Sequence, residues 1–84
     1  MSKITLEQRS LFGALLSSKN GTGEYVTITE KSGEVTSGAI IGYSKGYDIK
    51  KGDKIEFRKA GALILKDDGG QAKIEIDDIS EIEY

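Results

Sequence analysis

The apolar residues of this chain follow a helical spacing only near its start. Thr5 is a suitable N-cap, and Gln8, three positions later, completes a capping box. The apolar residues that follow form a helical stripe: Leu6, Leu11, Phe12, Leu15 and Leu16. Gly13 weakens the middle of this segment by about 1 kcal/mol, and Asn20-Gly21-Thr22-Gly23 ends it. The spacing predicts one helix over about residues 5–19, packed as a lid on the rest of the core.

After Gly23 the apolar residues alternate with polar ones or form short runs, which predicts strands from about residue 24 to residue 84. The predicted strands are Tyr25–Thr29, Val35–Tyr43, Lys54–Arg58, Ala62–Leu65, Ala72–Ile76 and Glu81–Tyr84. Turns are predicted at Lys31-Ser32-Gly33 and Asp67-Asp68-Gly69-Gly70, a loop over Lys45–Asp53, and one helical turn at Asp77–Ser80. A helix followed by about five short strands is typical of a small barrel. The short connections without proline indicate a single domain over residues 1–84.

Two glycines interrupt the strand predicted over Val35–Tyr43. Gly38 and Gly42 lie four residues apart within it. Glycine weakens a strand unless the strand bends sharply or another backbone approaches closely. The pair therefore predicts a strongly curved strand.

Composition narrows the possible classes of protein. Of the 84 residues 37% are hydrophobic, which is typical of a globular protein and not of a disordered one. With 12 basic and 14 acidic residues the net charge is −2, which argues against a generally basic protein that coats DNA. There is no cysteine and no histidine, which excludes disulfides, thiolate nucleophiles, Cys/His metal sites and His-based catalytic triads.

The length of the apolar segments argues against a membrane partner. The longest run, Ala62–Leu65, is far shorter than the ~20 residues that span a bilayer. The N-terminus lacks the basic region, apolar core and cleavage site of a secretory signal. We therefore expect a cytoplasmic protein, whose small core makes stability marginal or shared with partner subunits.

The charges are unevenly distributed along the chain. Residues 67–84 hold seven acidic side chains against Lys73 alone, a net −6, and the first 66 residues carry the balance of +4. Six basic and three acidic side chains cluster over residues 45–59. Such polarity suits one basic and one acidic face, or head-to-tail self-association. A solvated surface with interspersed charges is the alternative.

The stretch Gly33–Tyr43 resembles the first motif of the Sm and Sm-like proteins, small barrels that associate with RNA. It holds a glycine turn, then glycine, an apolar residue, glycine and an aromatic residue on one bent strand. Ala62–Asp67 is similar to the third strand of that fold, and Ile74–Ile82 to its fourth strand, short turn and fifth strand. The resemblance covers about residues 4–84, with extra residues around 45–60. It implies a small, strongly bent five-stranded Sm-like (SH3-like) barrel with an N-terminal α-helix.

The resemblance also implies a site for single-stranded RNA between the second and third strands. Members of the family use an aspartate and an asparagine there, with a stacking side chain between them. Aligned without a gap, Ser44 takes the aspartate position, Tyr47 lies next to the stacking position, and Asp48 takes the asparagine position. A stacked aromatic side chain contributes ~1–3 kcal/mol per base. In a ring of subunits the lysines of this loop would form a positive collar: Lys45, Lys50 and Lys51.

Other alignments of these residues remain open. A gapped alignment puts Ala62 at the asparagine position. The arginine-glycine pair of the family's second motif is replaced here by Asp77-Asp78, which reverses the charge. Asp48–Phe57 with Leu63–Lys66 is also similar to the C-terminal hairpin of swapped-hairpin transition-state regulators, which are dimeric DNA-binding proteins. Gly33-Glu34-Val35-Thr36 resembles their upstream stretch, and in that family a helix lies between the two parts.

The paired aspartates do not support catalysis. Asp67-Asp68 precedes two glycines, as in a turn, and Asp77-Asp78 suits the cap of a short turn. Neither pair has a nucleophile or a base as a companion, so we expect no enzyme, no metal site and no cofactor.

The sequence predicts a homo-oligomeric ring, closed by pairing of sheet edges, that binds single-stranded nucleic acid, preferably RNA. The residues expected to bind it are Ser44, Lys45, Tyr47, Asp48, Lys50 and Lys51. The alternatives are a protein-interaction or scaffolding ring, which the acidic carboxyl-terminal segment favours, and a dimeric DNA-binding transcription regulator.

Overall fold

A short strand and two helical segments open the chain, and the remaining strands follow them. The computed structural model describes residues 2–84, apart from the side chains of residues 47–51 and 54–58. The strands so described are β1 (Lys3–Thr5), β2 (Tyr25–Glu30), β3 (Val35–Ser44), β4 (Tyr47–Lys51), β5 (Lys54–Arg58), β6 (Gly61–Lys66), β7 (Gln71–Glu75) and β8 (Ile79–Glu83). The helical segments are a first 3₁₀ helix (Leu6–Leu11), helix α1 (Phe12–Lys19) and a second 3₁₀ helix (Ile76–Asp78). The chain is mainly β with an N-terminal helix, as predicted.

Six strands form one antiparallel sheet in the order β1-β8-β2-β3-β6-β7, and β4 and β5 form a separate two-stranded sheet. Over the described residues, the end strands β1 and β7 each pair along one side. The predicted closure into a five-stranded barrel is therefore wrong. Lys3–Thr5 supplies an additional strand beside β8, and the sheet stays open. Three residues are too few for a periodicity that would reveal this strand in the sequence.

The core lies between one face of the sheet and α1. Phe12 and Leu16 of the helix are fully buried. The sheet side of the core is mostly isoleucine. The buried residues alternate in β2 and β6 and are three positions apart in β8, where the pairing with β2 shifts. They are Ile4, Val26, Ile28, Ile40, Ala62, Ile64, Ile74, Ile79 and Ile82. This alternation confirms the assignment of the strands, because only a period of two places these side chains on one face.

The N-terminal helix differs from its prediction in its first turns. The backbone N–H of Thr5 donates to Oε1 of Gln8 at 3.3 Å, as expected for a capping box. Gln8 itself has φ −111° and ψ 27°, outside helical geometry, which kinks the 3₁₀ helix at this residue. Leu6 and Leu11 are consequently 46% and 49% exposed, so the expectation that they join the buried stripe is wrong.

β3 changes its pairing with β6 at a bulge. Ile40 and Gly42 pair with consecutive residues of β6, so Ile41 is an extra residue on this strand. The extra residue reverses the alternation of faces. Ile40 is fully buried before the bulge, and Tyr43 packs against the same core after it.

The two glycines of β3 have different surroundings. A Cβ atom on Gly38 would lie 2.1 Å from the carbonyl oxygen of Leu65, so β6 comes too close for any side chain. The sequence predicted a curved strand, whereas the close approach of this backbone is what requires glycine here. A Cβ atom on Gly42 would meet the Cβ of Leu63 at 3.5 Å, an ordinary contact. The close packing of β6 therefore requires glycine at position 38, whereas position 42 has room for a larger side chain.

The segment 45–53, predicted as a loop, contains strand β4. β4 and β5 form a hairpin in which Lys51 lies opposite Lys54, and Gly52 between them has φ 61°. The predicted strand over Lys54–Arg58 is confirmed as β5. Lysines and glycines at the ends of β4 conceal the short alternation of Tyr47 and Ile49 in the sequence.

The turns follow the prediction closely. Gly33 and Gly69 have φ 95° and 86° in the turns after β2 and β6, and Asp68 Oδ1 accepts a hydrogen bond from Gly70 N–H at 2.7 Å. The predicted helical turn near residue 77 is the second 3₁₀ helix, with its N-cap at Glu75. Asp77 lies inside this turn instead of capping it, and its Oδ1 accepts from Nη2 of Arg9 at 2.8 Å.

Candidate functional site

A cavity opens where β3 and β6 reach the base of the β4–β5 hairpin. Its volume is about 310 Å³, near the lower end of the roughly 300–1,000 Å³ that is usual for small-ligand sites. The side chains and glycines that shape it include Gly42, Tyr43, Ser44, Lys59, Leu63 and Lys73. They come from three adjacent strands and from the residue after β5.

The bulge in β3 determines which groups reach this cavity. Gly42 pairs with Leu63 of β6, and Leu63 pairs with Lys73 of β7, so the three form a row across the face of the sheet opposite the core. Gly42 contributes no side chain to this row, which leaves a depression between its neighbours. Tyr43 follows Gly42 in β3 and also borders the depression, while its ring packs against the core near Gly13 of α1.

The charge of the cavity is positive. Among the eight described residues that line it, two are lysines and none is acidic. Lys59 and Lys73 are both exposed, so their ammonium groups can meet an anion without a desolvation cost. The Oγ of Ser44 accepts a hydrogen bond from the backbone N–H of Gly46 at 3.3 Å. Its own hydroxyl proton is available to a ligand.

The structure places part of the predicted nucleic-acid site at this cavity. Ser44 lines it, and Lys45 is exposed on the next residue of the chain. The backbone of the other predicted residues forms β4, and their side chains lie outside the described residues: Tyr47, Asp48, Lys50 and Lys51. Their part in binding remains a prediction. Ala62, the alternative asparagine position, is buried and pairs with Tyr43.

The sequence did not single out Lys59 and Lys73 as members of one site. They are 14 positions apart, with Lys59 directly after β5 and Lys73 within β7. The signal that could have found Lys73 is its alternation with Ala72 and Ile74, which places it on the face opposite the core. Its position beside Gly42 depends on the bulge, which no local pattern predicts.

The acidic residues do not form a second site in the described structure. No group of three or more carboxylates there comes together so that it could hold a metal ion. Asp68 serves the turn after β6 and Asp77 pairs with Arg9, so each paired aspartate has a structural partner. In the same described residues no helix has the length and apolar character needed to cross a membrane.

Comparison with known proteins adds no assignment to this geometry. No protein-family model, curated protein or solved structure matches the chain.

Proposed function

We propose that this protein binds single-stranded nucleic acid, preferably RNA, as a homo-oligomeric ring of Sm-like subunits and performs no chemistry on it. The observation that carries the proposal is the lysine-lined cavity at the base of the β4–β5 hairpin. A depression with positive rim charges and the apolar side chain of Leu63 offers a phosphate its counterions and a base an apolar surface.

The order of elements supports the Sm-like interpretation. An N-terminal helix precedes a strand, a bent strand with Gly38 against a neighbouring backbone, two further strands, a 3₁₀ turn and a last strand. This is the succession that the sequence motifs imply, with β4 and β5 inserted before the third strand of the family pattern. The proposed ring rests on the same resemblance.

The competing interpretation as a swapped-hairpin DNA-binding regulator has less support. That family places a helix between the Gly-x-Val-Thr stretch and the C-terminal hairpin. Here β3 runs over Val35–Ser44 and pairs with β2 and β6. The expected helix is replaced by a central strand, which argues against this alternative.

A protein-interaction ring is the second candidate function, and one observation favours it. The sheet face opposite the core exposes large apolar side chains: Tyr25 (59%), Val35 (59%), Ile41 (42%) and Leu65 (40%). Apolar side chains that cluster on a surface often mark contacts with other proteins. A ring that binds protein on this face would not need the cavity.

Fluorescence anisotropy with short uridine-rich RNA, adenosine-rich RNA and thymidine-rich DNA tests the proposal. We expect binding at low salt, with log K falling by about 0.7 per neutralised phosphate for each unit of log salt. Lys59→Ala should reduce that slope by about 0.7. Lys31→Ala is the matched control, because Lys31 is an exposed lysine in the turn at the opposite end of β3.

Two further variants separate stacking from charge. Tyr47→Ala should weaken binding with little change in the salt slope, and Lys50→Ala with Lys51→Ala should flatten the slope. Gly42→Val fills the cavity where the backbone leaves room for a side chain. No binding at low salt, or binding that Lys59→Ala and Gly42→Val leave unchanged, would reject the site and favour the protein-interaction ring.

A further inference from the structure

The two free edges of the six-stranded sheet are complementary to each other. β1 forms one end of the sheet and β7 the other, and neighbouring strands along the whole order are antiparallel. The direction of β1 is therefore opposite to that of β7. A second copy placed edge to edge would continue the antiparallel alternation without interruption.

Backbone hydrogen bonds show which groups of β1 face outward. Ser2 and Tyr84 exchange both of their backbone hydrogen bonds, at 2.8 Å each. In an antiparallel pair such exchange recurs at every second residue. The backbone N–H and C=O groups of Ile4 therefore point towards β8, and those of Lys3 point away from it. Thr5 is also directed outward, and its N–H donates to Gln8 Oε1. Thr5 is the N-cap of the first 3₁₀ helix, so its C=O accepts the first hydrogen bond of that helix. The N–H and C=O of Lys3 are left for a partner strand.

The same reasoning fixes the outward groups of β7. Lys66 N–H donates to Gly70 C=O, and Ile76 N–H donates to Ala60 C=O, on either side of the paired segment. Residues 72 and 74 are therefore bonded to β6, whereas Lys73 and Glu75 direct their N–H and C=O groups to the open edge.

From this geometry we infer that β1 of one copy pairs antiparallel with β7 of the next, with Lys3 opposite Glu75. This register aligns two hydrogen bonds, which Lys3 and Glu75 exchange through their N–H and C=O groups. Ile4 and Ile74, 5% and 2% exposed, fall opposite each other on the core face. The apolar layer then continues from one copy into the next.

Charge distinguishes this register from its neighbour. Lys3 opposite Glu75 is an attractive pair on the face opposite the core. A shift by two residues would retain the hydrogen-bonding pattern but place Lys3 opposite Lys73, two like charges. A parallel pairing that aligns the two isoleucines also places Lys3 opposite Lys73. The antiparallel register with Glu75 is the one that satisfies both backbone and charge.

The inference rests on the proposed ring and specifies its contact. Each copy offers one β1 edge and one β7 edge, so the contact is head to tail. Such a contact gives a closed ring when the rotations between successive copies add up to a full turn. The contact does not involve Lys59 or Gly42. The assembly assay and the nucleic-acid assay can therefore refute the edge pairing and the cavity site separately. A monomer that binds RNA would overturn the edge pairing alone.

Charge reversal and mixing test the contact by light scattering after size-exclusion chromatography at micromolar concentration. Wild type should exceed the 9.1 kDa monomer. Lys3→Glu and Glu75→Lys should each weaken assembly by about tenfold, because like charges then lie opposite each other. Combining both substitutions in one chain, or mixing the two single variants, restores opposite charges across every contact and should restore assembly.

The controls separate the contact from folding and from net charge. Lys31→Glu and Glu34→Lys make the same charge changes at exposed positions of the β2–β3 turn and should leave assembly unchanged. Lys3→Glu also removes the ion pair between Lys3 and Glu81 (3.4 Å). The double variant lacks this ion pair too, so assembly that it recovers cannot come from the ion pair. A monomeric wild type, single variants that assemble normally, or a mixture that fails to assemble would each overturn the inference.

Discussion

The two parts of β3, before and after the bulge at Ile41, are governed by different requirements. Before the bulge, Gly38 touches the backbone of β6 and Ile40 is fully buried. After it, Gly42 has room for a side chain and faces the cavity together with Ser44. The first part is determined by packing, and the second is open to a ligand. One strand thus supplies both the most constrained backbone contact and the candidate site.

The largest expected difference is between alanine substitutions at the two glycines. Gly38→Ala places a Cβ 2.1 Å from a carbonyl oxygen that cannot move without separating β3 from β6. We expect its cost to exceed the roughly 1–3 kcal/mol that is usual for overpacking. Gly42→Ala should change the free energy of unfolding by less than about 1 kcal/mol. Urea unfolding followed by circular dichroism measures both, and equal losses would contradict the comparison.

The adjacent isoleucines at the bulge should differ next. Ile40→Ala removes a fully buried side chain and should cost about 3 kcal/mol, within the usual range for such truncations. Ile41 is 42% exposed, and Ile41→Ala should stay within about 0.5–1 kcal/mol of wild type. The same unfolding measurement compares them directly. A larger loss at Ile41 would show that the face opposite the core is covered in solution.

Gly13 of α1 and Tyr43 in the second part of β3 are in contact, so substitutions at these two positions should have non-additive effects on stability. A Cβ on Gly13 would lie 2.8 Å from the hydroxyl oxygen of Tyr43, so Gly13→Ala forces this ring to move. Alanine also gains about 1 kcal/mol of helix propensity over glycine. We expect Gly13→Ala to be neutral or destabilising in wild type, and stabilising by up to about 1 kcal/mol when Tyr43→Phe has removed the hydroxyl. A double-mutant cycle that sums additively would exclude the contact.

The smallest expected effect lies at the end of β2, in the hairpin that leads into β3. Partial burial, followed by a hydrogen bond with Glu34 and the charges of Glu34 and Asp78, raises the pKa of Glu30 above its ordinary value. The folded state therefore binds this proton more tightly than the unfolded chain, and the contribution of Glu30 to stability falls as pH rises through the raised pKa.

Glu30→Gln should consequently raise the melting temperature slightly at neutral pH. The gain should vanish below the ordinary pKa of a glutamate, because both proteins are then uncharged at this position. Thermal unfolding of both proteins across the acidic range measures the effect. A gain that is independent of pH would contradict this origin.

The predictability of each element depends on whether its cause is local. The turns at Gly33 and Gly69 and the capping bond between Thr5 and Gln8 involve residues within four positions of one another, and the sequence revealed them. Strand β1 depends on β8, almost 80 residues away, and carries no periodicity of its own.

The candidate site was predictable in part for the same reason. Ser44 and Lys45 follow directly from the glycine-rich motif and lie at or beside the cavity. Lys59 and Lys73 join them through the register of three strands, which the bulge shifts by one residue. The residues near Lys73 in the sequence carry no pattern that indicates the bulge in β3.

The extra residue at Ile41 also affects how this chain should be aligned with any relative. Deleting Ile41 would restore strict alternation and leave Tyr43 and Ser44 on their present faces, whereas a strand of the same length without the bulge would exchange their faces. A homologue of the same length without the bulge would therefore need a polar residue where this chain has the tyrosine and an apolar one where it has the serine. An alignment that matches the two strands without a gap would assign the wrong residue to the ligand-facing surface. A polar residue aligned with Tyr43 together with an apolar residue aligned with Ser44 would identify such homologues from sequence alone.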